Sequence, residues 1–392
     1  MTSETPVGII GAGPAGLTLA LLLQKEGLSP VIFESRTRAY IESRARAGLL
    51  EQNTVTLFNG LGVADRLNSE GLVHRGVYLS FDERRIRVPF DELTGGRCIT
   101  IYGQQEVVKD LVKVCHERGI KIIFEAEATG ITNINTKSPS IVYQQNGESK
   151  LLTCDFVVGC DGFHGISRKC FPNGSYHEFR KEYPFSWLGI LAYAKPATDE
   201  LIYAYHQRGF ALHSLRSDKV SRLYLQVSNE DIIENWSDYR IWNELSLRLH
   251  TKGFRLNEGP IFEKAITPMR SFMIDNLQCG RLFLAGDAAH IVPPTGGKGL
   301  NLAVADVKWL SDAIVQFYKT ADERLLNAYS ANALRRIWRA QDFSNFMTNL
   351  FHKQASQGSF EYHLQKSKFD YIGLSKAYAT TLAENYVGLK EI

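Results

Sequence analysis

Apolar residues recur along this chain at two spacings, and the switches between them mark out its elements. Val7, Ile9 and Ile10 predict a short buried strand. Residues 17–25 form an apolar helix that Gly27 stops, and Val31, Ile32 and Phe33 form a second strand running straight into Glu34. Residues 54–67 predict one helix, and Val77, Leu79 and Phe81 alternate with polar neighbours as a half-buried strand does. Residues 99–103 lead through Gln104 into an amphipathic helix over 105–118, stopped by Gly119, with a strand at 120–124. Residues 141–143 and 151–153 flank Asn146-Gly147, a hairpin signal. Residues 156–159 are a further buried strand closed by Cys160-Asp161-Gly162, where the acid is either a ligand-facing group or ordinary Asp-Gly turn chemistry.

The pattern changes near Tyr183. From there to Arg270 it reads as strands with little helix. Tyr203 and Tyr205 share one face of a strand. Over 210–216 and 222–227 the alternation groups Ser214 with Arg216, and Arg222 with Tyr224 and Gln226, and a short connection lets a hairpin bring Ser214, Arg216 and Tyr224 to one surface. A hydroxyl, a guanidinium and a phenol together suit a carboxylate ligand; a solvated polar sheet face is the alternative. Leu282, Phe283 and Leu284 are again a buried strand, ended by Gly286 and Asp287. Pro293 and Pro294 enforce an extended turn, Gly296, Gly297 and Gly299 follow, and a helix with apolar positions at Leu300, Val304, Val307, Leu310, Ile314 and Phe317 begins. Residues 323–351 are helical and rich in aromatics, which predicts core and subunit interface.

Two of these junctions carry chemistry. Gly11-Ala12-Gly13-Pro14-Ala15-Gly16 sits between a strand and a helix, with Glu34 at the end of the next strand. That is the dinucleotide-binding arrangement: Gly11 makes the tight turn, Gly13 admits a pyrophosphate, Gly16 allows close helix packing and Glu34 holds ribose hydroxyls. A Glu there suits FAD or NAD rather than a 2′-phosphate. At the second junction Asp287 lies beside a glycine-lined helix N-terminus, where free N–H groups would stabilise negative charge on a reduced flavin. Between them, residues 35–53 are basic, with Arg36, Arg38, Arg44 and Arg46 either facing a pyrophosphate or simply solvated.

Composition adds limits. The 392 residues exceed one ordinary core and predict a large α/β unit or two intertwined domains. A net charge of +3 without a basic block argues against nucleic acid and membrane partners. No apolar run approaches a bilayer's thickness, the first strand starts too early for a signal peptide, and six scattered cysteines lack any CxxC pair, so a cytoplasmic protein with reduced thiols is expected. No metal-ligand cluster is visible in the sequence.

Taken together, GAGPAG at 11–16, CDG at 160–162 and GDAAH at 286–290 resemble the FAD-dependent aromatic hydroxylases, the single-component flavoprotein monooxygenases. The likeness extends through RAGLLEQ, GLVH, YGQ, GCDGFHGISR, ELIYA, RGFAL, RLFLAGDAAHIVPPTGGKGLNLA and LAENYVGL, runs that span the chain and are most similar to the branch acting on 4-hydroxybenzoate. The resemblance implies a Rossmann-type FAD-binding domain over 1–74, 97–182 and 271–345, an inserted β-sheet substrate domain over 75–96 and 183–270, and a C-terminal helical region over 346–392 at the interface of a homodimer.

It also implies roles. Gly11, Gly13, Gly16, Glu34, Arg44, Arg46, Gln104, Asp287, Leu300 and Asn301 would contact FAD. Ser214, Arg216 and Tyr224 would hold the carboxylate of a small aromatic substrate, with Tyr203 and the backbone carbonyl of Pro294 at its other end. Tyr203, Tyr386 and His74 would carry the phenol proton to solvent. His164 and Arg270, with Arg36, Arg38 and Tyr40, would meet the nicotinamide nucleotide. Ser35 stands where the best-known NADPH-using members carry Arg, so NADPH with some use of NADH is expected. Gly297 replaces a slightly larger residue, a change expected to matter little. The implied reaction is reduction of the flavin by NAD(P)H, formation of a C4a-hydroperoxide with O2, and hydroxylation of 4-hydroxybenzoate at the 3-position. The alternatives are another substituted benzoate such as 4-aminobenzoate, or a non-catalytic FAD-fold binding protein. Trp187-Leu188-Gly189-Ile190 lacks the paired tryptophans of a flavin-dependent halogenase.

Overall fold

The computed structural model describes residues 4–44, 46, 48–354 and 358–389. Among these residues the strands form three sheets. The first is built on parallel strands in the order Leu282–Leu284, Glu148–Gly159, Thr5–Ile10, Val31–Phe33 and Lys121–Ile123. The central stretches of these strands are apolar because helices cover the sheet, and Val7, Ile9, Ile32, Phe156, Val158 and Phe283 are fully buried. The two strands expected at 151–153 and 156–159 are one long strand, Glu148–Gly159. Its first half pairs antiparallel with Ser140–Gln145 across Asn146-Gly147, both at positive φ, as a two-residue hairpin turn requires.

The second sheet runs His290–Ile291, Ile261–Ile274, Glu178–Ala192, Ser221–Val227, Ala211–Leu215, Ile202–Tyr205, Gly76–Phe81 and Arg84–Pro89. It is antiparallel except where Ile202–Tyr205 meets Gly76–Phe81. Each of its faces is covered over part of its extent. One packs on the C-terminal helices Tyr329–Phe351, Ser359–Leu374 and Lys376–Val387 through Tyr203, Trp187, Phe210, Phe351, Phe369 and Tyr386. The other packs on the helix Asp238–Arg248 through Ile202, Leu223, Ile241, Trp242 and Leu245. That helix departs from the expectation of little helix in this region. Its signals were local: Ser237 accepts the Arg240 amide as an N-cap, and Ile241, Leu245 and Leu249 recur at a four-residue spacing.

Two expected helices are divided. Residues 54–67 form Gln52–Leu61 and Asp65–Glu70, separated at Gly62, which takes the left-handed conformation that ends a helix. Residues 323–351 form Arg324–Asn327 and Tyr329–Phe351. In the latter, Tyr329, Phe343 and Phe351 are core, while Trp338 remains 47% exposed against Phe179. No described helix is long and apolar enough to cross a membrane.

Candidate FAD and substrate site

Backbone requirements build the first half of the site. Gly11 has φ +106, and a Cβ there would lie 2.4 Å from the Cys160 carbonyl oxygen; at Gly16 one would lie 2.0 Å from the Gly11 carbonyl oxygen. Only glycine allows both. Over Gly13 a Cβ would meet nothing within 4 Å, so the space above the N-terminus of helix Pro14–Lys25 is open to a ligand. Glu34, at the end of the neighbouring strand, accepts the Ala12 amide at 2.9 Å and the Arg36 amide at 2.9 Å, which ties the glycine turn to the next loop. A diphosphate fits over that open helix end, with Glu34 beside it for a ribose.

The second half starts where Leu282–Leu284 ends. Gly286 is at φ +62 and its amide donates to Asp306, which also meets His290 at 2.6 Å, so the turn rests on a buried pair. Asp287 faces Arg46 at 3.8 Å. Helix Gly299–Thr320 begins with no side-chain cap, leaving its first-turn amides open to a ligand. For Asn301 this restricts the expected contact to its backbone. Its Oδ1 accepts from the Glu51 amide and the Thr54 hydroxyl, and its Nδ2 donates to the Leu49 and Gly297 carbonyls, so the side chain is fully occupied. Leu300 is likewise available only through its amide. Gln104 is half-buried at the first position of helix Gln104–Glu117, and Arg44 is exposed. Gly297 sits at φ +64, where an added Cβ would meet Leu49 at 2.9 Å. Glycine there avoids the cost of about 1–2 kcal/mol that left-handed backbone puts on a side chain.

The residues expected to hold a substrate lie on the second sheet. The register sets Tyr203 opposite Leu212, Leu212 opposite Tyr224, and Ser214 opposite Arg222, so these side chains share one face. Ser214 lies two residues beyond the Tyr203 row, about 7 Å along the strand. Gly189, opposite Tyr224, leaves room for its ring, since a Cβ there would lie 3.3 Å from it. Arg216 is half-buried and its Nη2 donates to the Arg46 carbonyl, joining the substrate sheet to the loop beside Asp287. Burial, and then the neighbouring Arg222, lower the Arg216 pKa to about 10. Arg222 lies on this face, as the alternation over 222–227 places it, but the sequence assigned it no role. Its Nη1 is buried without a hydrogen-bond partner, and its guanidinium lies 5.2 Å from the Tyr224 ring centroid.

At the other end the Tyr203 and Tyr386 hydroxyls are 2.6 Å apart, and Tyr203 donates to the Thr295 carbonyl at 2.8 Å. Burial raises both phenol pKa values, so the pair is neutral at physiological pH. The Pro294 carbonyl accepts the Gly297 amide within the same turn. His74 is fully buried, its pKa is lowered to about 4 by desolvation, and neither ring nitrogen has a hydrogen-bond partner. The structure brings Tyr203 and Tyr386 together but forms no direct bond from them to His74 among the described residues. Lys298, also assigned no role from the sequence, is buried against Glu51 at 2.8 Å and donates to the Tyr386 carbonyl at 3.0 Å. Its only signal was a lysine within a glycine-rich turn.

The residues expected to meet a nicotinamide nucleotide fall in two places. Arg270 lies 4.1 Å over the Phe163 ring, which the exposed His164 contacts edge-on at 5.0 Å. On the exposed loop after Glu34, Arg36 lies 5.5 Å over Tyr40, whereas Arg38 is paired with Glu42 at 2.7 Å.

A mixed α/β fold whose glycine turn and second helix terminus converge in this way defines an FAD-binding oxidoreductase. The sequence model of an FAD binding domain family matches residues 4–344. The chain is 45% identical over 389 residues to p-hydroxybenzoate hydroxylase of Acinetobacter baylyi, covering 99% of this chain and 96% of that one. It is 25% identical over 381 residues to a flavin-dependent monooxygenase of Mycobacteroides abscessus, covering 88% and 74%. Its fold matches p-nitrophenol 4-monooxygenase of Pseudomonas putida with a TM-score of 0.83 over 100% of both chains, at 16% identity. The chain belongs to the FAD-dependent aromatic hydroxylases, in the p-hydroxybenzoate hydroxylase branch of that family.

Proposed function

We propose that this protein hydroxylates 4-hydroxybenzoate at the 3-position to 3,4-dihydroxybenzoate, using O2 and NADPH, with NADH as a poorer donor. The observation that carries this reading is the buried Tyr203–Tyr386 hydroxyl pair on the same sheet face as Ser214 and Tyr224. One end of the site offers a guanidinium, a hydroxyl and a phenol to a carboxylate; the other offers neutral phenols to a phenol proton. The offset of about 7 Å along the strand suits a para-substituted benzoate.

FAD, when bound, would supply the redox chemistry that links a nicotinamide nucleotide and O2 to hydroxylation of the ring. Gly11, Gly13, Gly16, Glu34, Asp287 and the amides of Leu300 and Asn301 would hold it, with Arg44, Arg46 and Gln104 around it. Arg216 fixes the substrate's far end, so one ring carbon is presented to the reacting position. Tyr203 handles the phenol proton. The ring gains nucleophilicity as its oxygen ionises, and Tyr203 can turn its own proton toward that oxygen with Tyr386 still in contact. Proton transfer onward to His74 needs an intermediary or a side-chain movement, because His74 has no direct bond to the pair. Aromatic side chains pack behind the tyrosines, Phe351 at 5.8 Å from Tyr203 and Phe343 at 5.9 Å from Tyr386. His164 and Arg270, with Arg36, Arg38 and Tyr40, serve the nucleotide. The domain division stated from the sequence and a homodimer through the C-terminal helices complete the proposal.

The test is NADPH oxidation by the FAD-loaded protein with and without 4-hydroxybenzoate, with identification of the product. Stimulated oxidation and 3,4-dihydroxybenzoate are expected. Stimulation by 4-aminobenzoate instead, or no hydroxylated product from any benzoate, overturns the reading.

A further inference from the structure

The Tyr203 hydroxyl has one proton to give, and its surroundings contain two claimants for it. In the structure it donates to the Thr295 carbonyl at 2.8 Å. A phenolate bound beside it would need the same proton. While Tyr203 points at Thr295, only its lone pairs face a ligand, which favours a neutral phenol that donates to it. Ionisation of the ligand therefore requires Tyr203 to leave Thr295.

Whether that is easy depends on how firmly Thr295 is held. Thr295 and Thr348 are both fully buried, and their hydroxyls are 2.9 Å apart. The Thr348 hydroxyl donates to the Thr295 hydroxyl and is also 2.7 Å from the Ser344 carbonyl, so its single proton is shared between those two acceptors. Thr348 itself is immobilised. Its carbonyl accepts the His352 amide at 3.0 Å and meets the His352 Nδ1 at 2.9 Å. His352 Nε2 accepts the Trp187 indole N–H at 2.6 Å, which leaves the ring proton on Nδ1. Its ring stacks between Phe185, 4.6 Å away, and Phe210, 4.3 Å away. The end of helix Tyr329–Phe351 is thus bolted to the substrate sheet, and the Thr295 carbonyl is bolted to that helix.

We propose that Thr348, acting through Thr295, is a positioning residue. It holds the Thr295 carbonyl as a competing acceptor for the Tyr203 proton and so sets how readily a phenol bound at Tyr203 ionises. The inference rests on the phenolic substrate proposed above. The other titratable groups facing Tyr203 are Tyr386, Tyr224 and, behind the Tyr386 ring at 5.9 Å, Lys298 with its partner Glu51. All are retained in the variants that follow.

The experiment titrates 4-hydroxybenzoate bound to the FAD-loaded protein, following phenolate absorbance against pH. Thr348→Val deletes the hydroxyl without changing shape, loosens Thr295 and frees the Tyr203 proton. The apparent pKa of the bound phenol should fall by about 0.5–1 unit, a threefold to tenfold rise in its ionisation constant. Thr295→Val removes the same hydrogen bond from its other end and should shift the pKa alike, whereas Thr348→Ser should retain the parent value. In a Tyr203→Phe background Thr348→Val should shift nothing. An unchanged or raised pKa in the folded valine variants, or a shift that persists without the Tyr203 hydroxyl, overturns the inference. Loss of folded protein in both valine variants overturns it in favour of a purely structural hydrogen bond. If the unaltered protein shows no bound phenolate, the substrate reading fails and this inference falls with it; a parent titration that the variants leave unmoved sinks this inference alone.

Discussion

Replacing Arg216 by lysine separates charge from geometry at the carboxylate end, and burial makes the outcome depend on pH. The parent guanidinium has its pKa lowered from 12.5 to about 10, chiefly by desolvation. It stays charged throughout the neutral range, so the parent's affinity for 4-hydroxybenzoate should be flat from pH 6 to 9 apart from ionisation of the substrate phenol. A lysine in the same place meets the same desolvation. A lowering of about 2.5 units applied to an ordinary lysine pKa of about 10.4 puts the variant near 8. The sign follows from the charged form being the disfavoured one. The variant is cationic below about pH 8 and loses its charge, and with it the carboxylate partner, as pH rises through that value. Below pH 8 the lost bidentate fork should still cost about 1.5–3 kcal/mol, raising Kd roughly 10- to 150-fold. Above it, Kd should climb about tenfold per further pH unit. Lysine also fails to reach the Arg46 carbonyl that Arg216 holds, so the loop beside Asp287 should loosen. The assay is titration of flavin absorbance with 4-hydroxybenzoate at pH 6, 7, 8 and 9 in both proteins, using benzoate as a non-ionising control. A variant Kd within threefold of the parent at pH 7, or a benzoate Kd that does not rise between pH 8 and 9, would refute the reasoning.

Asp287→Ala should leave the fold intact but weaken FAD retention by about tenfold or more, the scale of a hydrogen bond to a charged group; undiminished flavin content after dialysis counts against the assigned role. Tyr203→Phe should still be reduced by NADPH while most O2 consumed appears as H2O2, so a product-to-NADPH ratio equal to the parent's would remove Tyr203 from the chemistry. The double variant Arg36→Ala/Arg38→Ala should shift kcat/KM toward NADH, and because Arg38 is already paired with Glu42, Arg36→Ala alone should produce most of the shift. If neither variant moves that ratio, the loop does not read the 2′-phosphate. His352 is held neutral by burial, its pKa lowered to about 3 against about 6.5 unfolded. The unfolded chain therefore binds a proton that the native chain refuses as pH falls below about 6.5, and this residue alone should remove up to about 1.4 kcal/mol of stability per pH unit between 6.5 and 3. Denaturant midpoints at pH 7 and 5 check this, since His352→Gln should flatten that loss.

Elements whose apolar residues repeat with one period were legible from the chain itself. So were the glycine turns, because Gly11 at positive φ and Gly16 against a carbonyl are demands of backbone geometry that any reading of strand, glycines and helix exposes. The hairpin carrying Ser214, Arg216 and Tyr224 was legible for the same reason: alternation assigns faces, and a short connection assigns pairing. Breaks within helical patterns were not, since Gly62 interrupts 54–67 without disturbing its hydrophobic period. Nor was the helix Asp238–Arg248, whose capping serine and four-residue spacing were overshadowed by the strands on either side.

The chain's own order thus determined which residues could serve a flavin and a carboxylate, because motif chemistry depends on neighbours a few positions apart. Only the tertiary structure decided how those residues are used. Asn301 spends its side chain on Glu51, Thr54, Leu49 and Gly297 and keeps only its amide for a ligand. Arg222 has its Nη1 buried without a hydrogen-bond partner, and Lys298 lies buried against Glu51 behind Tyr386. Tyr203 meets Tyr386 from 183 residues away and gives its proton to Thr295. Each of these depends on contacts between segments far apart in sequence, where no local period or spacing constrains a side chain's partner, and burial then fixes its charge and the direction of its hydrogen bonds.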